Sequence, residues 1–82
     1  MKTLNEVVID RLNYYMNGPV QTQYTLAEFS GVPYPTIKSI MQRRTKGITL
    51  KTVIMLARGL GVSLSEFFND EAFVYDNLDL EW

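Results

Sequence analysis

Apolar side chains recur three and four positions apart along most of this chain, the spacing of helices that each bury one face. Thr3 and Glu6 carry the T-x-x-E spacing of a capping box and predict a helix over about 4–17, with Leu4, Val8, Leu12, Tyr15 and Met16 as its inward stripe and Gly18-Pro19 as its stop. Of Tyr14 and Tyr15, one is expected to pack and the other to face out. Thr22 is a good cap for a second helix over about 23–30, with Leu26, Ala27 and Phe29 as its apolar stripe and Gly31 as its left-handed end. Pro33 and Pro35 suit the first turn of a third helix over about 34–43, whose Ile37, Ile40 and Met41 share a face. Residues 44–48 read as a basic loop. Thr49 caps a fourth helix over about 50–60, in which Leu50, Val53, Ile54, Leu56, Ala57 and Leu60 are expected to be largely buried, and Gly61 closes it. Ser63 and Glu66 repeat the capping-box spacing, with Val62 and Phe67 placed as a hydrophobic staple, and open a short helix over about 64–69.

The second and third helices are too short to bury their own apolar faces. They make sense only as a pair, joined at Gly31-Val32-Pro33 and braced by neighbouring helices. Residues 1–68 show no strand-like alternation, repeat or low-complexity tract, so the expected class is all-α, a compact five-helix bundle over residues 1–69. Residues 70–82, DEAFVYDNLDLEW, are too apolar for a plain disordered acidic tail. Leu78 and Leu80 alternate weakly in the manner of a strand. This tail reads either as a packed extension covering part of the first or fifth helix, or as a dimerisation segment.

Eighty-two residues suit one small domain with a modest core, for which oligomerisation is a realistic support. The chain has no cysteine and no histidine. Disulfides, thiolate nucleophiles, histidine general bases and the common zinc sites are therefore excluded. Without a secretory core or an apolar membrane-spanning run, it is expected to be cytoplasmic and to need no membrane. The net charge of −1 conceals an asymmetry. Residues 1–68 hold eight bases against four acids, whereas residues 69–82 hold five acids and no base. No acid lies between Glu28 and Glu66, where six of the eight bases stand. Such patterning points to a basic contact surface and an acidic tail.

Gln23, the Leu26-Ala27 pair, Ser30-Gly31-Val32, Thr36-Ile37, Ile40 and the LGVSLSEFF run from Leu60 to Phe68 together resemble the Cro and phage-repressor (XRE-type) helix-turn-helix family. The resemblance runs from the first helix to Phe68, about four fifths of the chain. It implies a lambda-repressor-like five-helix bundle that binds operator DNA, usually as a dimer or as one domain of a larger repressor. Three places depart from the family pattern. Pro33-Tyr34 stands where Ser, Thr or Gln is frequent, Met41-Gln42-Arg43 stands where Glu-x-Gly is frequent, and no proline lies near Gly47. These departures touch the reading surface more than the core.

On that resemblance, helix 3 enters the major groove and helix 2 spans the backbone. The side chains facing outward from helix 3 are then Tyr34, Pro35, Lys38, Ser39 and Gln42, the expected base-reading set. Lys38 suits guanine, Gln42 suits adenine, Ser39 serves either, and Pro35 offers only apolar contact. Tyr34 serves a phosphate or a thymine methyl, or else folds its ring over helix 2. Thr22 and Gln23 at the start of helix 2, with Arg43, Arg44 and Lys46, form the expected phosphate-contacting set. The implied partner is double-stranded DNA, bound by a homodimer without cofactor or metal. The alternative is a protein-interaction module, an antitoxin or adaptor, that captures a partner protein through residues 70–82. An enzyme fits poorly, because Asp10 with Glu6 and the tail acids have no pocket implied around them and read as surface charge.

Overall fold

The computed structural model describes residues 1–17 and 20–80. Among these residues there are five α-helices: α1 (Leu4–Tyr15), α2 (Gln23–Ser30), α3 (Tyr34–Met41), α4 (Leu50–Leu60) and α5 (Leu64–Phe67). Two short 3-10 turns, Glu71–Phe73 and Tyr75–Asn77, follow. The chain is mostly helical but not purely so. Lys2–Thr3 (β1) pairs in parallel with Leu78–Asp79 (β2), Lys2 opposite Leu78 and Thr3 opposite Asp79. The helical expectation holds in the main and is qualified by this two-stranded ribbon, whose second strand falls where Leu78 and Leu80 alternate and whose first, some 76 residues away, has no local alternation to reveal it. No helix among the described residues is long and apolar enough to cross a membrane.

Four of the five α-helices start just after a residue whose side chain caps them, α3 being the exception. Thr3 accepts from the Glu6 amide while the Glu6 carboxylate accepts from the Thr3 amide, a complete capping box. Thr22, Thr49 and Ser63 accept from the amides of Thr25, Thr52 and Glu66, respectively. At Ser63 only that half of the expected box forms. The ends come sooner than the apolar pattern predicts, at Tyr15 rather than 17, Met41 rather than 43, and Phe67 rather than 69. The Gly18-Pro19 stop and Trp82 lie outside the described residues.

The core gathers Leu12, Leu26, Ile37, Leu56 and Phe67, all essentially inaccessible, with Val8, Ile9, Val32, Ile40, Val53 and Ala57 around them. On α1 the buried positions are Val7, Val8, Ile9, Arg11 and Leu12, while Leu4 is 37 % exposed. The single expected stripe is too narrow because the tail closes a second face of α1, where Val7 and Arg11 line a cleft with Asn69, Asp70 and Ala72. Tyr15 stacks on Phe67 and Tyr14 faces solvent, so one ring packs and one does not. Phe29, Leu50 and Ile54 were expected inside and are exposed. Leu50 and Ile54 sit one turn apart at the edge of the inward face of α4, and Phe29 stands on the flank of α2, beside Val20 and Arg58.

The described tail packs. Phe73 lies against Phe67 and Phe68, and Leu78 is 6 % exposed. Arg11 fastens it. Its Nε donates to the Phe67 carbonyl (2.8 Å), its Nη2 to the Glu66 carbonyl and the Tyr15 hydroxyl (2.8 Å each), and its Nη1 to Asp70 (3.3 Å). This buried guanidinium closes the carbonyl end of α5, where a cation is favoured, and engages four of its five N–H donors in doing so.

The tightest helix contact is between α2 and α4. A Cβ on Gly59 would stand 2.7 Å from Cα and Cβ of Ser30, well inside contact distance. Ser30 is wholly buried, and its Oγ accepts from the Val32 amide at 3.1 Å. Gly59→Ala should therefore lose about 1–3 kcal/mol of stability, even though alanine is the better helix former. Chemical denaturation checks this, and an unchanged or raised midpoint would show that α2 and α4 can separate at little cost.

Candidate nucleic-acid interface

The α2–α3 connection is built from three residues with separate tasks. Ser30 is small enough for the Gly59 contact and holds the Val32 amide. Gly31 takes the left-handed conformation, φ 78°, and its amide bonds the Ala27 carbonyl, ending α2. Val32 turns its side chain into the core, 3 % exposed. Pro33 then serves as the N-cap of α3 with no side-chain cap bond, and its carbonyl accepts from the amides of Thr36 and Ile37. With Ile37 and Ile40 buried beneath it, α3 has one face fixed inward and the other outward.

The outward face holds most of the residues expected there. Tyr34, Pro35, Lys38 and Gln42 are exposed, Gln42 at the C-cap position, and Ser39 is half-buried. Thr36 is also exposed and was missing from the expected set, because it lies on the margin beside Ile40 rather than opposite it. The Tyr34 ring packs at 5.9 Å from that of Tyr24 on α2, tilted by 56°, yet stays 39 % exposed. The ring thus leans on helix 2 and still contributes surface. Tyr24, 64 % exposed, is a second aromatic that the sequence did not single out.

The polar and basic residues flank this face at both ends. Before Tyr24 come Thr22, exposed and bonded to Thr25, and Gln23, half-buried at the first position of α2. Beyond α3 come Arg43, Arg44 and Lys46, all exposed. Arg43 has φ 59°, the one non-glycine residue with positive φ among those described. The Arg43 amide bonds the Ile40 carbonyl (3.0 Å) and the Arg44 amide bonds the Ser39 carbonyl (2.9 Å), the paired bonds of a Schellman end. Gly61 ends α4 in the same way, its amide bonded to Arg58 and the Val62 amide to Ala57. At Arg43, then, an arginine occupies a backbone conformation that a Cβ disfavours.

Arg11 and Lys2, counted among the bases of residues 1–68, are spent within the fold, Arg11 as described and Lys2 on Asp10. The Asp10 carboxylate raises the Lys2 pKa above its ordinary value. Exposed positive charge is left on the α3–α4 side, at Lys38, Arg43, Arg44, Lys46, Lys51 and Arg58. Glu6 and Asp10 do each line a cleft, contrary to the expectation of none. Glu6 shares one of about 230 Å³ with Asn5, Arg43 and Thr45. Its carboxyl is held below the usual carboxylate range, first by the Thr3 amide, then by the Thr3 hydroxyl, and further by the charge of Arg43. Both acids are committed to structure, one to the cap of α1 and the other to Lys2.

Arg43→Gly should relieve the left-handed strain and stabilise the fold by about 0.5–1 kcal/mol, the gain tempered by the added chain freedom of glycine when unfolded. A lowered denaturation midpoint would instead show that contacts of the arginine side chain outweigh the strain.

Comparison with protein-family models, with curated proteins and with solved structures finds no match to this chain.

Proposed function

We propose that this chain is a sequence-specific DNA-binding transcriptional regulator with a lambda-repressor-like fold, of the Cro and phage-repressor helix-turn-helix type, acting as a dimer in the cytoplasm. The observation that carries the reading is the exposed face of α3, flanked by Thr22-Gln23 at one end and by Arg43, Arg44 and Lys46 at the other, with no acid in the chain from the end of α2 after Glu28 to Glu66. A major groove admits one helix, and the phosphates on either side of it meet the flanking donors. Lys38, Ser39 and Gln42 read base edges. Tyr34 and Pro35 offer apolar contact to thymine methyls, with Tyr24 bracing the Tyr34 ring. Thr22, Gln23, Arg43, Arg44 and Lys46 hold the backbone, so binding weakens steeply with salt. In a dimer the two α3 helices address half-sites about one helical turn apart.

The two sets of residues separate in a titration against a preferred duplex and a scrambled one. Lys38→Ala should cost about 1–3 kcal/mol on the preferred duplex and little on the scrambled one, whereas Arg44→Ala should weaken both alike and flatten the salt dependence by about one contact. Identical losses for both variants on both duplexes would contradict the assignment of roles.

A second reading, a protein-interaction module, is favoured by one feature of the tail. While Phe73 and Leu78 pack, Val74, Tyr75 and Leu80 are 52 %, 83 % and 47 % exposed. On this reading those three side chains hold a partner protein. Replacing Val74 and Tyr75 with Ser should then abolish co-purification of the partner and leave DNA affinity and the denaturation midpoint unchanged, whereas loss of DNA affinity in the same variant would assign the patch to DNA binding.

A further inference from the structure

We propose that Asn5 is a positioning residue for the phosphate-contacting loop between α3 and α4, a role that rests on the DNA-binding reading. Asn5 sits in the first turn of α1, forty residues before the loop, and is half-buried. Its Nδ2 donates to the Thr45 carbonyl at 3.0 Å and to the Lys46 carbonyl at 2.8 Å, so each hydrogen of the carboxamide holds one of two successive peptide groups. The loop has little else to hold it. The Arg44 amide ends the α3 motif and the Thr49 hydroxyl begins the α4 cap. Between them, among the described residues, the two bonds from Asn5 are the hydrogen bonds made to residues 45–48, joined by the Ile48 side chain packed on the core.

The orientation that follows is what suits the loop to an anion. In a trans peptide the C=O and N–H point in opposite directions, and no peptide bond described is cis. Two carbonyls drawn toward Asn5 leave the amides of Lys46 and Gly47 directed away from it. Nothing lies within 4 Å of the position a Cβ would take on Gly47, so the loop is open at that residue. Arg44 and Lys46 are exposed on the same stretch. Asn5 touches no nucleic acid in this scheme. It fixes the loop so that the basic side chains and outward amides meet a phosphate without first being ordered, which spares the affinity that ordering would cost.

The test is Asn5→Ala, which keeps Thr3 and Glu6 and so keeps the cap of α1. The variant should exchange the backbone amides of residues 45–48 faster than wild type. It should bind every duplex about three- to tenfold more weakly, keep the same sequence preference, and show a salt dependence shallower by about one contact. A general loss of fold would not change that slope. Asn5→Gln, which retains the two donors on a longer arm, should recover part of the affinity. Lys46→Ala should cost less in the Asn5→Ala background than alone, because the two act through one loop. Wild-type affinity and slope in Asn5→Ala would overturn the role, as would unchanged amide exchange in the loop. A wild-type chain that binds no duplex would overturn the DNA-binding reading itself, and with it this use of the clamp.

Discussion

The contact on which the α2–α3 geometry depends is the one between Ser30 and Gly59. Two helices can approach this closely only where one of them has no Cβ, and the Cβ of Ser30 fills the space left by Gly59. The same serine accepts the Val32 amide, so the closest point of helix packing is also the first bond of the turn. From there the chain has little choice. Gly31 turns left-handed, Val32 drops into the core, Pro33 starts the next helix, and Ile37 and Ile40 follow Val32 inward. The direction of the outward face of α3 is thus set by packing between the helices that precede and follow it.

Formal charge is a poor guide to the surface until the fold is known. Arg11 is 8 % exposed, and its guanidinium is bound to the carbonyls of Glu66 and Phe67, to Tyr15 and to Asp70. It acts as an internal clasp between α1, α5 and the tail, and removing it would take the donor from the buried Phe67 carbonyl, while the Glu66 carbonyl keeps the Asn69 amide. Lys2 is likewise engaged by Asp10. The asymmetry seen in the sequence is sharpened by the structure, because the bases spent on folding lie in α1 and β1 while those from Lys38 to Arg58 stay outside.

How much of this was legible follows from the range of each interaction. Helix starts were readable because a cap is made within four residues, and Thr3, Thr22, Thr49 and Ser63 all serve as caps. Glycine ends were readable at Gly31 and Gly61 for the same reason. The Schellman end at Arg43 was not, because an arginine gives no hint that it holds a positive φ. Leu4, Leu50, Ile54 and Phe29 were assigned to the core from periodicity, which fixes the direction of a side chain but not whether a neighbour lies above it. The Asn5 bonds and the pairing of β1 with β2 join residues 40 and 76 apart, beyond any local pattern, although the alternation of Leu78 and Leu80 marked the second strand itself. Of the candidate interface, the outward residues of α3 were legible, while Thr36, Tyr24 and Asn5 came only with the fold.

The central claim, that this face recognises DNA, is tested most directly by selection from a pool of random duplexes with the full chain at two salt concentrations. A DNA-reading dimer should enrich a palindrome with half-sites about one helical turn apart, retained far better at low salt than at high. Absence of binding at either concentration would contradict it and leave the exposed apolar residues of the tail as the better guide to function.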